Sequence, residues 1–149
     1  LKGSVLILGA PGSGKTTLLR DLIRQLSEGG EHVTVVDERG ELFHPASKFH
    51  RGKCTDVLTG CGKGDGIGIV LRTMGPDCIA VDEITAREDC DAMLRAGWCG
   101  VRLLATVHAS SVADLQSRTD CRMLTEYGLF PNVITLRKDK TWYLERMNV

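Results

Sequence analysis

The sequence lacks the long apolar runs and the excess of one charge that would assign it to several large classes of protein. Its apolar runs are strand-sized, well short of the roughly 20 residues that span a bilayer, and no signal peptide is evident. Nineteen basic residues balance nineteen acidic ones, so overall charge provides no argument for a nucleic-acid or membrane surface. We therefore expect a soluble protein.

Paired cysteines are also missing, since none of the six cysteines belongs to a CxxC motif. Three of them lie in or beside apolar segments that are expected to form the core. This distribution favours reduced thiols in a cytosolic protein over a disulfide framework or a metal site.

Aromatic residues make up only 5% of the chain. They do not alternate with basic residues as they do on many surfaces that bind single-stranded nucleic acid. Trp98, Trp142 and Tyr143 are predicted to be packing residues and not a cofactor site.

The most informative segment is GAPGSGKT at residues 9–16, which matches the phosphate-binding pattern GxxxxGK[ST]. An apolar run at residues 5–8 precedes this 9–16 loop and a helical pattern follows it, as the motif requires. The glycines allow backbone N–H groups to face phosphates, Lys15 is expected to reach the β and γ phosphates, and Thr16 to hold Mg²⁺. The predicted nucleotide-binding residues are Gly9, Ala10, Pro11, Gly12, Ser13, Gly14, Lys15, Thr16 and Thr17.

Apolar runs and chain breakers predict strands that alternate with helices in a single domain of 149 residues. The strands are predicted at residues 5–8, 33–36, 78–81, 101–107 and 133–136. The helices are predicted at residues 17–28, 69–74, 86–96 and 112–127. Such alternation predicts a parallel sheet covered on both faces, and residues 142–144 are expected to close a C-terminal β-hairpin.

Two further features concern the organisation of the chain. Residues 40–68 are predicted to be a long polar loop with a glycine-dense segment at 60–68, which is uncommon unless the loop is functional or mobile. The chain begins at Leu1 and not Met, and its first strand is expected within four residues. We therefore expect residues 1–149 to be a fragment of a longer protein.

A second motif, which is acidic, follows the third predicted strand. Four apolar residues end in Asp82 and Glu83, which resembles a Walker B strand. Asp82 is expected to orient Mg²⁺ beside Thr16, and Glu83 to polarise the water that attacks the γ phosphate. The alternative is a strand end with solvated acids. A glutamate directly after the aspartate favours ATP hydrolysis over phosphoryl transfer to a metabolite.

The phosphate loop and this acidic motif resemble those of P-loop NTPases with a RecA-like (ASCE) core. The resemblance implies that the strand after the acidic motif inserts between the first and third strands, which gives the sheet order 5-1-4-3-2. Thr106 and His108 would then emerge between Lys15 and Glu83. His108 is a candidate sensor of the γ phosphate, and the alternative is a histidine that caps the next helix. The remaining histidines, at 32, 44 and 50, fall on turns or in the long loop.

A third polar group, Asp37-Glu38-Arg39, ends the second predicted strand. Ligands of open α/β sheets lie at the carboxyl ends of the strands, so Glu38 is a second candidate for positioning water or magnesium. Arg39 is a candidate for pairing across a subunit boundary, and a plain surface salt-bridge cluster is the alternative. RecA-like sites commonly take an arginine from a neighbouring subunit. The candidates for that role are Arg39, Arg51, Arg72 and Arg118.

Together these motifs resemble those of the stage III sporulation AA proteins, which are related to type II and type IV secretion ATPases. The resemblance rests on the 9–16 loop and on VDER, TDVL, AVDEI and ATVHA at residues 36–39, 55–58, 80–84 and 105–109. Secretion ATPases have an acidic box after the second strand and a histidine box after the fourth. The resemblance implies that Asp37-Glu38 and His108 occupy these two positions in this chain. The resemblance implies a cytoplasmic ATPase that uses ATP and Mg²⁺, peripheral to the membrane through its partners.

The resemblance also implies a homo-oligomer, hexameric in the full-length protein, that energises a secretion-like complex with membrane-embedded components during sporulation. Family members carry an additional amino-terminal domain, which this chain is expected to lack. The alternative functions are a nucleic-acid translocase or helicase on the same core, which the neutral charge does not favour, and a nucleotide-gated scaffold with negligible turnover.

Overall fold

The computed structural model describes residues 2–147, which form one seven-stranded sheet with helices on both faces. The strand order is β3-β2-β4-β5-β1-β6-β7, and only β7 runs antiparallel to its neighbour. The strands are β1 Val5–Gly9, β2 Val33–Asp37, β3 Thr55–Thr59, β4 Cys78–Val81, β5 Arg102–His108, β6 Asn132–Leu136 and β7 Trp142–Arg146. The helices are α1 Lys15–Glu28, α2 Lys63–Thr73, α3 Arg87–Trp98, α4 Val112–Ser117 and α5 Met123–Glu126.

The five predicted strands keep their predicted spatial order, because β5 lies between β1 and β4, and the sheet has one further strand at each edge. β7 pairs with β6 as the predicted hairpin. β3 was not predicted, because it lies inside the segment assigned to a polar loop. It is an edge strand in which only Thr55 is buried, so its sequence has no apolar run to reveal it.

Most of the glycine-dense segment at residues 60–68 is helical and not a loop, which corrects the prediction. α2 begins at Lys63 and continues to Thr73. The reason is packing: a Cβ atom at Gly66 would lie 2.5 Å from Cγ1 of Val36 in β2. A helix can approach the sheet this closely only where it has no side chain. Glycine, which normally indicates a loop, here permits the close packing of a helix on β2.

The core forms one hydrophobic layer on each face of the sheet. α1 covers one face, where Leu19 and Ile23 are fully buried and Leu18, Leu22 and Leu26 are partly buried against the same cluster. This confirms the predicted apolar face of α1. Residues of the other helices, including Ile67 of α2 and Met93 of α3, pack on the opposite face. No helix within residues 2–147 is long and apolar enough to span a membrane.

Two other predictions are wrong, one about the packing of tryptophans and one about the length of a helix. Trp98 and Trp142 are 70% and 64% exposed, because Trp98 ends α3 and Trp142 begins the edge strand β7. The predicted helix at 112–127 is divided into α4 and α5, because Arg118 adopts an extended conformation (φ −92°, ψ 118°) that ends α4.

All six cysteines are free. Cys78, Cys90 and Cys121 are buried, as expected for the three that belong to apolar segments. Burial raises the pKa of Cys78 to about 12, and burial together with the neighbouring Cys121 thiol raises the pKa of Cys90 further. These thiols are therefore protonated members of the core at neutral pH.

The close contact of α2 with β2 yields a paired stability prediction. We expect Gly66→Ala to lower the free energy of unfolding by about 1–3 kcal/mol, because the new methyl group would overlap the stiff Val36 side chain. In Gly68→Ala the new methyl group would meet nothing nearer than the mobile Arg72 side chain, at 3.6 Å, so this variant should gain up to about 1 kcal/mol of helix propensity. Urea unfolding measures both, and equal stability of the two variants would contradict the packing argument.

Candidate active site

The predicted site residues meet at the edge of the sheet formed by the carboxyl ends of its parallel strands. β1, β2, β4 and β5 are parallel neighbours, so their carboxyl ends lie side by side. β1 leads into the 9–16 loop, β4 into Asp82 and Glu83, and β5 ends at His108. The edge therefore collects residues from segments that are distant in sequence.

The 9–16 loop has a backbone that only glycine adopts without strain. Gly12 and Gly14 have φ angles of +77° and +103°, and a Cβ at Gly9 would lie 2.3 Å from the Ser13 hydroxyl oxygen. α1 begins at Lys15, within the last two residues of this loop, so the unpaired N–H groups of its first turn favour a bound anion. The buried Ser13 hydroxyl has no hydrogen-bond partner within the described residues, which leaves a further polar group unsatisfied. This donor set fits a phosphate group.

Lys15 connects the loop to His108. Its buried ammonium donates to the carbonyl oxygen of Ala10 at 3.0 Å and to Nδ1 of His108 at 2.9 Å. Burial lowers the pKa of Lys15, although the carboxylates of Asp82 and Glu83 act in the opposite direction. Because an ammonium has no lone pair, Nδ1 of His108 is the acceptor in this contact.

The second ring nitrogen of His108 is directed towards Glu83. Nε2 of His108 lies 3.5 Å from Oε1 of Glu83, so Lys15, His108 and Glu83 form a continuous chain of polar contacts. α4 is capped by Ser111, which accepts from the Asp114 N–H. The alternative interpretation of His108 as a helix cap therefore does not describe this structure.

Asp82 is held by two hydroxyl groups. Thr16 Oγ1 donates to Asp82 Oδ2 at 2.9 Å, and Thr106 Oγ1 donates to Asp82 Oδ1 at 2.5 Å. No group of three or more His, Cys, Asp or Glu side chains within residues 2–147 is arranged to hold a metal. Thr16 and Asp82 nevertheless fit Mg²⁺, which binds through one or two protein oxygens and takes its other ligands from substrate phosphates and water.

Thr106 also fixes the backbone of Glu83. The fully buried Thr106 hydroxyl accepts the Glu83 N–H at 2.8 Å, and the Thr106 carbonyl accepts the Ile84 N–H at 2.9 Å. Glu83 has φ +54°, a left-handed conformation that costs a non-glycine residue about 1–2 kcal/mol. Sequence reasoning placed Thr106 at this edge but did not reveal this double role. The available signal was its position two residues before His108, on the same face of β5.

The acidic residues at the end of β2 have different roles, because Asp37 is structural and Glu38 lines the candidate site. Asp37 is buried and accepts N–H groups from Glu41 and Leu42 at 3.0 and 2.9 Å, so it anchors the following loop. Glu38 forms an ion pair with Lys63 at 3.3 Å. A cleft is lined by Glu38, Arg39, Lys63, Asp82, Glu83 and Thr85. Lys63 was missed because it lies in the glycine-dense segment, where the sequence has no periodicity.

The candidate arginines differ in their surroundings. Arg118 is engaged within its own chain, where its guanidinium donates to the His108 carbonyl at 2.5 Å and to Asp114 at 3.0 Å. Arg39 is 75% exposed beside the cleft and lies 4.0 Å from Glu41. Arg51 and Arg72 are also exposed. Arg118 therefore supports the strand end that carries His108.

The remaining predicted residues lie apart from this chain of contacts. Pro11 and Thr17 are exposed on the 9–16 loop and in the first turn of α1. His32 pairs with Asp56 at 2.7 Å, at the opposite end of the strands, which agrees with its exclusion from the candidate site.

Comparison with solved structures supports the fold. The ATPase DotB of Legionella pneumophila superposes with a TM-score of 0.68 and 24% sequence identity, covering 97% of this chain and 44% of DotB. The pilus retraction motor PilT with bound ADP superposes with a TM-score of 0.74 and 18% identity, covering 99% of this chain and 48% of PilT. At these identities the similarity establishes the fold, which is that of the P-loop secretion and pilus ATPases.

Sequence comparison establishes the family. Stage III sporulation protein AA of Bacillus subtilis is 37% identical over 147 residues, which cover 92% of this chain and 47% of that protein. This chain therefore spans about half the length of that relative. A family model described as sporulation stage III, protein AA, matches residues 2–143. On both grounds the chain belongs to the sporulation stage III protein AA family.

Proposed function

We propose that this domain binds Mg-ATP and hydrolyses it, and that it acts as the motor of a secretion-like complex during sporulation. The observation that carries the proposal is the chain of contacts from Lys15 through His108 to Glu83, at 2.9 and 3.5 Å, beside the Thr16–Asp82 pair. The similar fold of PilT, which holds ADP, and of DotB, an ATPase, supports nucleotide binding at the 9–16 loop.

In this proposal the 9–16 loop and Lys15 bind the phosphates of ATP. The backbone N–H groups of the loop donate to the β phosphate, and Lys15 exchanges its contacts with Ala10 and His108 for oxygens of the terminal phosphates. Thr16 and Asp82 would hold Mg²⁺, which when bound neutralises charge on the β and γ phosphates.

Hydrolysis is assigned to Glu83, which accepts a proton from the attacking water. The Glu83 side chain is 48% exposed at the cleft, while its backbone is fixed by Thr106, so the acid is both accessible and oriented. Glu38 shares the cleft and is the next candidate for this role. His108 senses the γ phosphate, since it lies between the phosphate-binding lysine and the acid.

The assembly and location of the protein are also part of the proposal. The described domain is the ATPase unit of a homo-oligomer, with a hexamer proposed for the full-length protein. It works in the cytoplasm, at the membrane through membrane-embedded partners of the complex. The B. subtilis relative is a sporulation protein of about twice this chain's span, and this supports the proposed biological setting.

The first test separates nucleotide binding from hydrolysis. Lys15→Ala should abolish ATP binding, because the lysine supplies the charge that offsets the terminal phosphates. Glu83→Gln should bind ATP normally but lose turnover, because only the proton acceptor is removed. Calorimetric titration with ATP and release of inorganic phosphate measure the two properties. Normal binding by the Lys15 variant would refute the nucleotide site, and unchanged hydrolysis by the Glu83 variant would transfer the acceptor role to Glu38.

The second test concerns His108. We expect His108→Ala to fold normally, bind ATP with the parent's affinity and hydrolyse it at least tenfold more slowly, a loss of about 1.4 kcal/mol of transition-state stabilisation. His50→Ala is a matched control, since His50 is exposed in the segment between β2 and β3. Equal rates for the His108 variant and the parent would remove His108 from the mechanism.

The third test concerns assembly. If a neighbouring subunit completes the site, ATPase specific activity should rise with protein concentration. Alanine at one of the three arginines Arg39, Arg51 and Arg72 should remove that rise without weakening ATP binding. Arg118→Ala is the contrasting variant: it should slow hydrolysis at every concentration, because Arg118 supports His108 in the same chain. A concentration-independent rate would contradict a shared site.

Strong stimulation of the ATPase rate by single-stranded DNA, with steep salt dependence, would instead favour the alternative function of a nucleic-acid translocase.

A further inference from the structure

The turn between β6 and β7 lies against the 9–16 loop. β6 pairs with β1 up to the Leu136–Gly9 register, so the turn at residues 137–141 and the loop emerge side by side. The turn is closed by its own hydrogen bonds: the Lys140 N–H donates to Arg137, the Arg137 N–H donates to Thr141, and Thr141 donates to the Asp139 carboxylate. The turn therefore forms a defined structure next to the loop.

Lys140 occupies the position of this turn that favours glycine. Its φ angle is +69°, and within the described residues only one other non-glycine residue, Glu83, has a positive φ. Hairpin turns with a left-handed residue at this position usually have glycine there, and a lysine costs about 1–2 kcal/mol of backbone strain. Strained residues cluster at functional sites, so the Lys140 side chain requires an explanation that the turn does not provide.

The ammonium of Lys140 reaches the 9–16 loop. Nζ donates to the carbonyl oxygen of Gly12 at 2.7 Å, and a Cβ built on Gly14 would lie 3.9 Å from the same Nζ. The cation thus stands beside the two loop glycines with left-handed backbones. Lys140 is exposed, so its charge also remains accessible to an anion from solution.

A second lysine holds the same loop from within. Lys15 donates to the carbonyl oxygen of Ala10, and the Ser13 N–H donates to that oxygen as well. Before nucleotide binds, the short turn from Ala10 to Ser13 is therefore held at Ala10 by Lys15 and at Gly12 by Lys140. Such bracing matters because the glycines of the loop permit many other conformations, and ordering them on binding would reduce affinity.

We infer that Lys140 is a positioning residue of the nucleotide site, which holds the Gly12 carbonyl so that the 9–16 loop keeps its phosphate-binding shape and which adds positive charge beside it. The inference rests on the proposed function, and its ligand class is a nucleoside di- or triphosphate. The residue acts on binding and not on the chemical step, since its contact is with the loop and not with His108 or Glu83.

The position of Lys140 allows a test in which stability and binding should change independently. Lys140→Gly removes the ammonium and relieves the strain at φ +69°, so the nucleotide-free protein should unfold at the parent's temperature or higher. Its affinity for ATP and for ADP should fall by about three- to tenfold, as expected for loss of one partly exposed charged contact. KM for ATP should rise with kcat little changed. Lys140→Arg, which keeps the charge, should bind within about twofold of the parent.

Lys138→Gly is the matched control, because Lys138 is a lysine of the same turn that makes no hydrogen bond or ion pair within the described part of the chain. Calorimetric titration with Mg-ATP and Mg-ADP and thermal unfolding without nucleotide measure all four proteins. Parent-like affinity of Lys140→Gly would overturn the inference, as would an equal loss in Lys138→Gly or a lower unfolding temperature for Lys140→Gly. Failure of the parent itself to bind ATP would instead refute the proposed function.

Discussion

The insertion of β5 between β1 and β4 is the constraint on which the candidate site depends. Because the three strands are parallel, this order brings the 9–16 loop, His108 and the Asp82–Glu83 pair to one edge. Thr106 then reaches sideways from β5 and binds both acidic residues through one buried hydroxyl. With any other strand between β1 and β4, the contacts of Lys15 with His108 and of His108 with Glu83 would not form.

Backbone strain is concentrated at this same edge. The two non-glycine residues with positive φ within residues 2–147 are Glu83 and Lys140, and they lie on opposite sides of the β1–β5 pair. Each is held by hydrogen bonds to a neighbouring segment: Glu83 to Thr106, and Lys140 to Gly12. Strain that the surrounding structure compensates in this way is typical of positions where a side chain must point in one direction.

In the proposed function, the arrangement of Lys15 would couple ATP binding to hydrolysis. The ammonium is satisfied by the Ala10 carbonyl and by Nδ1 of His108, so phosphates that attract Lys15 would release Nδ1 of His108 and alter its contact with Glu83. The Arg118 guanidinium donates to the carbonyl of His108 and so supports the end of β5 that carries the imidazole. In the proposed function, this chain of contacts would connect occupancy of the 9–16 loop to Glu83.

The sequence by itself determined the strand–loop–helix unit at residues 5–28 and the acidic pair after β4, because these depend on short motifs and apolar periodicity. The order of five strands and the family followed from the resemblance of these motifs to those of known P-loop ATPases. Only the tertiary structure decided the roles of Thr106, Lys63, Arg118 and Lys140, since each acts on a segment distant in sequence. It also revealed β3 and the true start of α2, where the local pattern misleads: β3 has no apolar run, and the glycines of α2 provide close packing on Val36. Local motifs specify chemistry, whereas partners across the sheet are specified by strand order and packing.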